Sequence, residues 1–99
     1  MMNAKEELID HLQHIEKRAD VEWIEVYRAD YWEAAPEIHV SGTLEEVLPQ
    51  LDFEYDGGYG SQELFGCIWY KDGSWSQRAE YDGSEWWEHM TRPPLPTEQ

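Results

Sequence analysis

The stretch richest in oxygen ligands is Asp52-x-Glu54-x-Asp56-Gly57-x5-Glu63. It puts carboxylates at positions 1, 3, 5 and 12 of a twelve-residue loop, with glycine at position 6 for the sharp turn, which is the layout of an EF-hand calcium site. Three features depart from that layout. Position 3 is Glu54, longer than the usual Asp or Asn; position 8 is Tyr59, where an aliphatic residue normally packs; and a strand, not a helix, is predicted to follow. An acidic, glycine-rich loop in an acidic chain gives such spacing without any metal. Calcium at Asp52, Glu54, Asp56 and Glu63 is therefore the lesser reading.

Other candidate chemistry is sparser. His11 and His14, with Glu7 and Asp10, fall within about one helical turn and carry metal-ligating groups. Their spacing is not the i, i+4 zinc pattern, and solvated helix groups explain them. Gly57-Gly58-Tyr59-Gly60 frees backbone N–H groups, but Glu54 and Asp56 stand beside it and no lysine follows, so a phosphate cradle is rejected. Arg92-Pro93-Pro94-Leu95-Pro96 has the form of a polyproline ligand, and an extended tail explains it equally well. No Gly-x-Ser-x-Gly, P-loop or Cys-x-x-Cys occurs. The reading is a protein that is not an enzyme and needs no cofactor.

The elements that position these groups are organised around residues 62–91. Asp72-Gly73 and Asp82-Gly83 separate three strand-like runs, at roughly 62–71, 74–81 and 84–91. Asp-Gly between such runs is the signature of a two-residue type I′ hairpin, which needs φ > 0 at both central residues. Two-residue loops would pair Tyr70 with Trp75, Ile68 with Gln77, Arg78 with Trp87 and Ala79 with Trp86. Leu64, Ile68, Tyr70, Trp75, Ala79, Tyr81, Trp86 and Met90 then share one face, taken as the core. Phe65, Cys67, Trp69, Arg78, Glu80, Trp87 and His89 take the other. A sheet aromatic on both faces has both covered, or uses one for a partner. Helix 1 is the expected cover; Trp69, Arg78 and Trp87 are the candidate aromatic site otherwise. A helix over 84–90 is the rival assignment.

Upstream, Asn3 with Glu6 reads as a capping box, and Leu8, Leu12, Ile15 and Ala19 as the apolar stripe of a helix over about 4–18. Val21–Ala29 and Glu37–Ser41 read as strands, the first with two mixed faces and no clear register. Thr43-x-x-Glu46 opens a second, short helix carrying Leu44, Val47, Leu48 and Leu51, which Pro49 should end early or kink. Residues 52–61 read as a loop. The fold class is α+β: an N-terminal helix, two strands, a short helix and a three-stranded antiparallel meander, all in one domain over 1–91 with a Pro-rich flexible tail over 92–99.

The charge is extreme. Twenty-two acidic residues face seven Lys and Arg in a chain of 99, for a net −15. Such a surface repels nucleic acid and anionic membrane and attracts basic proteins over a distance. Six Trp, six Tyr and two Phe argue against disorder. The single Cys67 has no internal disulfide partner and suits a reducing cytoplasm; no leader or membrane-spanning run is evident. From Ala29 to Tyr70 there is no Lys or Arg, against nine carboxylates. Glu22, Glu37, Glu45, Glu46, Asp52, Glu54 and Asp56 are the candidate acidic face. Carboxylates two apart on a strand stand about 6.6–6.8 Å apart, comparable to successive phosphates of a nucleic acid strand.

The run Leu64-Phe65-Gly66-Cys67-Ile68-Trp69-Tyr70, then Asp72-Gly73-Ser74-Trp75, then Glu80-Tyr81-Asp82-Gly83-Ser84-Glu85-Trp86-Trp87 resembles small acidic proteins of bacterial temperate phages and mobile elements. The resemblance covers about 55–96. It implies a phage-encoded accessory protein and transfers no functional residues. Small acidic phage proteins often inhibit host defence, restriction and CRISPR systems included, some as DNA mimics. The expectation is a non-enzymatic inhibitor in the host cytoplasm, whose partner is a basic, nucleic-acid-binding protein rather than nucleic acid or membrane.

Overall fold

The computed structural model describes residues 2–28, 38–55 and 62–93. In chain order the elements are β1 (Met2–Asn3), α1 (Ala4–His14), β2 (Val21–Arg28), β3 (Ile38–Gly42), α2 (Leu44–Val47), β4 (Glu54–Tyr55), β5 (Leu64–Tyr70), β6 (Trp75–Tyr81) and β7 (Ser84–Met90). Short 3-10 turns occupy Arg18–Asp20 and Leu48–Leu51. The main sheet is antiparallel with order β3-β2-β5-β6-β7, and β1 pairs with β4 apart from it. The expected α+β class, with its C-terminal meander, is the observed one. Among the described residues no helix is long and apolar enough to cross a membrane.

The helices form where local chemistry asks for them. The Asn3 side chain accepts the Glu6 N–H at 3.0 Å, and Ala4, Leu8 and Leu12 point one buried edge of α1 at the sheet. The helix stops at His14, earlier than expected. Glu16 takes φ 57°, the Lys17 N–H bonds back to the Leu12 carbonyl at 3.1 Å and the Glu16 N–H to Gln13 at 3.2 Å. That is a Schellman end with glutamate where glycine is usual. The Thr43–Glu46 capping box forms in both directions, and Pro49 converts the next turn to 3-10, as its missing N–H requires. Residues 54–55, expected within a loop, instead pair with β1 and deliver Tyr55 to the core with no exposed surface.

Two local details decide which sheet face is buried. In β2 a bulge falls between Val21 and Trp23, so Val21 joins Ile24 and Val26 inside while Glu22 is displaced to solvent. This resolves the mixed faces of that strand. The second detail is the β5–β6 turn. The Gly73 N–H bonds to Tyr70 O at 3.1 Å, the Tyr70 N–H bonds to Ser74 O at 3.0 Å, and Gly73 has φ +88°. The loop is therefore three residues, Lys71 to Gly73, a type I turn closed by a glycine bulge. Trp69 consequently pairs with Trp75 and Ile68 with Ser76, one step from the expected register. The β6–β7 turn has two residues with φ 52° at Asp82 and 87° at Gly83, and the expected pairs Arg78–Trp87 and Ala79–Trp86 form.

A one-residue slip turns a strand over. Leu64, Ile68 and Tyr70 are buried as expected, but β6 and β7 present the opposite faces. Ser76, Arg78, Glu85 and Trp87 go inside; Tyr81 and Trp86 stay exposed, and Trp75, Ala79 and Met90 share their face. The core lies between that inner face and Leu8, Leu12, Val47, Leu51 and Tyr55 of the covering layer. Residues 84–90 form a strand, which disposes of the rival helix.

Candidate interaction face

The helices cover one side of the sheet. The other side is a set of cross-strand rows. Trp23, Trp69, Trp75 and Met90 are successive partners across β2, β5, β6 and β7. The next row is Ser41, Glu25, Cys67, Gln77 and Glu88. A third contains His39, Tyr27 and Phe65, with Trp86 opposite Ala79. Neighbouring strands stand about 4.8 Å apart, so each row is a close run of side chains. Trp23 is 46% exposed, Trp69 42%, Tyr27 40%, Trp86 40% and Tyr81 76%. Tyr27 stacks on Phe65 at 5.2 Å, which fixes both rings. None of these strand positions is Lys or Arg, while Glu25 and Glu88 supply carboxylates. Cys67 sits among them; partial burial and then Glu25 push its pKa up, so it stays a thiol and a poor nucleophile.

Beneath the sheet lies a polar layer that consumes the remaining chemistry. Arg78 Nη1 donates to Glu7 at 2.9 Å; Nη2 donates to Glu85 at 2.8 Å and to the Tyr55 hydroxyl at 3.0 Å. Tyr55 donates in turn to Glu7 at 2.5 Å. The guanidinium lies 5.2 Å from the Trp87 ring centre and 5.8 Å from that of Tyr55. Burial alone would lower the Arg78 pKa; Glu7, Tyr55 and Glu85 more than offset that, and it is raised. Glu85 also accepts the N–H groups of Glu63 and Leu64, at 2.9 and 3.0 Å. It thereby satisfies backbone beyond the point where the β5–β6 ladder ends. Further along, His11 and Tyr70 each share a 2.7 Å hydrogen bond with the Ser76 hydroxyl, and His11 stacks on Trp87. His89 bonds the Ser74 hydroxyl at 3.1 Å, and Ser74 donates to Asp72 at 2.5 Å. Hydrogen bonds from Lys17 and Ser74 hold the Asp72 carboxyl well below the usual carboxylate range.

His11 gives a pH prediction. Burial, then His89, His14 and Arg78, lower its pKa from 6.5 to about 4. Between those values the unfolded chain binds the proton that the folded one refuses, so stability is full above pH 6.5 and falls as pH drops towards 4. Allowing for partial exposure of the ring, the loss should be about 1–2 kcal/mol. Thermal melts of the His11→Gln variant should show a flatter slope across that window; a slope equal to that of the parent would place the proton uptake elsewhere.

Trp69 is on the open face. Arg78 and Trp87, expected beside it, are buried on the opposite side at 8% and 7% exposure, a correction that follows from the three-residue turn. Glu45, Glu46, Asp52 and Glu54 are exposed along α2, the 3-10 turn after it and β4, and Glu22 is exposed at the β2 bulge. Glu37 and Asp56 lie outside the described residues, as do most of the tail and the Gly57–Gly60 run. Of the calcium set, Asp52 accepts from Asn3 at 3.1 Å, Glu54 lies in a strand and Glu63 pairs with Arg28 at 3.0 Å. Among the described residues no three His, Cys, Asp or Glu side chains converge as metal ligands. Trp23 and Tyr27, together with Trp75, Tyr81, Trp86 and Met90, which pattern reading took as core, are members of the open face that were not expected there. Alternation already put the first two on one face with Glu25 but left open which face of β2 is covered, and Trp86 needed the right turn length. No protein-family model matches the chain, and no curated protein or solved structure is significantly similar to it.

Proposed function

We propose that the protein is a non-enzymatic acidic interaction protein whose open sheet face holds a basic, nucleic-acid-binding partner protein. The observation that carries this reading is an exposed row of aromatic side chains, flanked by Glu25 and Glu88, on strands with no Lys or Arg on that side. A guanidinium stacks on an indole and pairs with an adjacent carboxylate, a combination suited to arginine. The net charge of −15 steers basic partners inward and opposes nucleic acid, although bases also stack on aromatic platforms. With the resemblance of 55–96 to phage proteins, the specific form of the proposal is an inhibitor of a host defence protein, anti-restriction or anti-CRISPR. A DNA-mimic contact through Glu45, Glu46, Asp52 and Glu54 is the second reading, supported by their shared exposure on one short stretch.

Titration calorimetry with deca-arginine, deca-lysine and a DNA duplex separates these. Deca-arginine should bind more tightly than deca-lysine, and the duplex should not bind. Trp23→Ala with Trp69→Ala should weaken deca-arginine at least about tenfold, the loss of roughly 1.4 kcal/mol. Converting Glu45, Glu46, Asp52 and Glu54 to glutamine should change it by less than about threefold. The reverse ranking would move the contact to the acidic stretch, and indifference to both cationic peptides would overturn the reading.

A further inference from the structure

We infer that the edge of β7 left uncovered by the described residues takes up an extended basic segment of the partner as a sixth, antiparallel strand. This rests on the proposed basic partner and specifies the form in which it is recognised.

The two-residue turn at Asp82-Gly83 closes on the pair Tyr81–Ser84, and hydrogen-bonded pairs alternate from there. Ser84, Trp86, Glu88 and Met90 thus direct their N–H and C=O groups at β6. Glu85, Trp87 and His89 direct theirs away from it, and no described residue bonds those groups. Edges that avoid pairing carry lysine, proline, a bulge or an unpaired inward charge. β7 has no lysine, proline or bulge, and its one outward charge, Glu88, repels acidic strands and admits basic ones. Its seven residues pair with β6 without a register shift, and its inward carboxylate, Glu85, is neutralised by Arg78. The opposite edge, β3, is five residues long and runs at once into the α2 cap at Thr43.

The side chains along β7 state what the added strand must carry. Trp86 and Glu88 stand on the open face, so residues opposite them meet an indole and a carboxylate in non-hydrogen-bonded pairs, where side chains are closest. Arginine fits both. Residues opposite Glu85, Trp87 and His89 bring their own N–H groups to β7 and their side chains to the covered side. The recognised pattern is therefore arginine at alternate positions of an extended chain. Charge argues against a second copy as the occupant, since each chain carries −15.

The test uses the whole protein and a capped peptide of alternating Arg and Thr, with two N-methylated versions. Methylating the Thr nitrogens, which face β7, should weaken binding at least about tenfold, whereas methylating the Arg nitrogens should cost less than about threefold. Amide exchange at Glu85, Trp87 and His89 should slow on binding. Equal effects of the two methylations, or slowing at His39 and Ser41 instead, would overturn the edge. If binding then still falls with Trp23→Ala and Trp69→Ala, the sheet-face reading survives without it. If no cationic peptide binds, both fail. Self-association that is lost when the Arg–Thr peptide is added would make a second copy the occupant and overturn the inference.

Discussion

Replacing Arg78 with methionine should remove about 3–5 kcal/mol of stability. Methionine approximates the length and apolar stem of arginine, so the change isolates the charge. The Arg78 side chain is 1% exposed, with Glu85 at 0% and Glu7 at 11%. Without the guanidinium, two carboxylates and the Tyr55 hydroxyl face one another out of reach of water, and the attraction to Trp87 is lost. A small domain has about 5–15 kcal/mol in total, so the variant should be partly unfolded at 37 °C. Arg78→Lys should fall between, because one ammonium cannot span Glu7, Glu85 and Tyr55 as the planar fork does. Urea denaturation followed by tryptophan fluorescence reads both. A methionine variant within about 1 kcal/mol of the parent would show the network to be dispensable.

That network also explains why the wetter face of β6 and β7 is the buried one. By hydropathy, Trp75, Tyr81, Trp86 and Met90 belong inside and Ser76, Arg78, Glu85 and His89 outside. The slip of one residue reverses this, and the inner set is tolerable because most of its polar groups find partners: Ser76 meets His11 and Tyr70, and the two Nη atoms of Arg78 meet Glu7, Glu85 and Tyr55, leaving only its Nε unpaired. What is displaced becomes the open aromatic face. The candidate site is in this sense a consequence of turn geometry.

The elements were legible in the sequence because their signals are local. Both Thr43–Glu46 and Asn3–Glu6 mark helix starts within four residues, and both Asp-Gly pairs mark turns. The faces were not equally legible. Asp72-Gly73 suits a two-residue turn and equally the end of a three-residue turn with a glycine bulge; in the observed three-residue turn Asp72 bonds Ser74 and Lys17. Lys17 is 55 residues away, so no local window contains that contact. The same holds for Arg78, whose partners Glu7 and Glu85 lie on either side of it in sequence by 71 and 7 positions. Period two already sets Trp23, Glu25 and Tyr27 on one face of β2 and Ile24 and Val26 on the other; the bulge at Glu22, for which that reading has no signal, moved only Val21, and which face is covered was left open. Net charge raised the expectation of a basic partner but pointed to no particular surface for it.

Gly66→Ala should cost about 3 kcal/mol or more, and its damage should centre on the open face. Gly66 pairs with Val26 at φ +156°, and a Cβ there would stand 2.2 Å from the Glu25 carbonyl oxygen and 3.1 Å from Val26 Cα. The obstructing atoms are backbone, so no rotamer change relieves the clash; β2 and β5 must part or shift. Parting them separates Trp23 from Trp69 and Tyr27 from Phe65, the pairs that build two of the aromatic rows. Gly73→Ala is the control. Gly73 has φ +88° with no atom within 4 Å of an added Cβ, so it bears only the left-handed backbone penalty of about 1–2 kcal/mol. Denaturant melts should therefore rank Gly66→Ala well below Gly73→Ala. Amide exchange should show faster opening at Glu25, Val26 and Cys67 in the first variant alone. Equal costs for the two would mean that β2 and β5 do not approach as closely as Gly66 allows, and the rows joining Trp23 to Trp69 would then lose their structural basis.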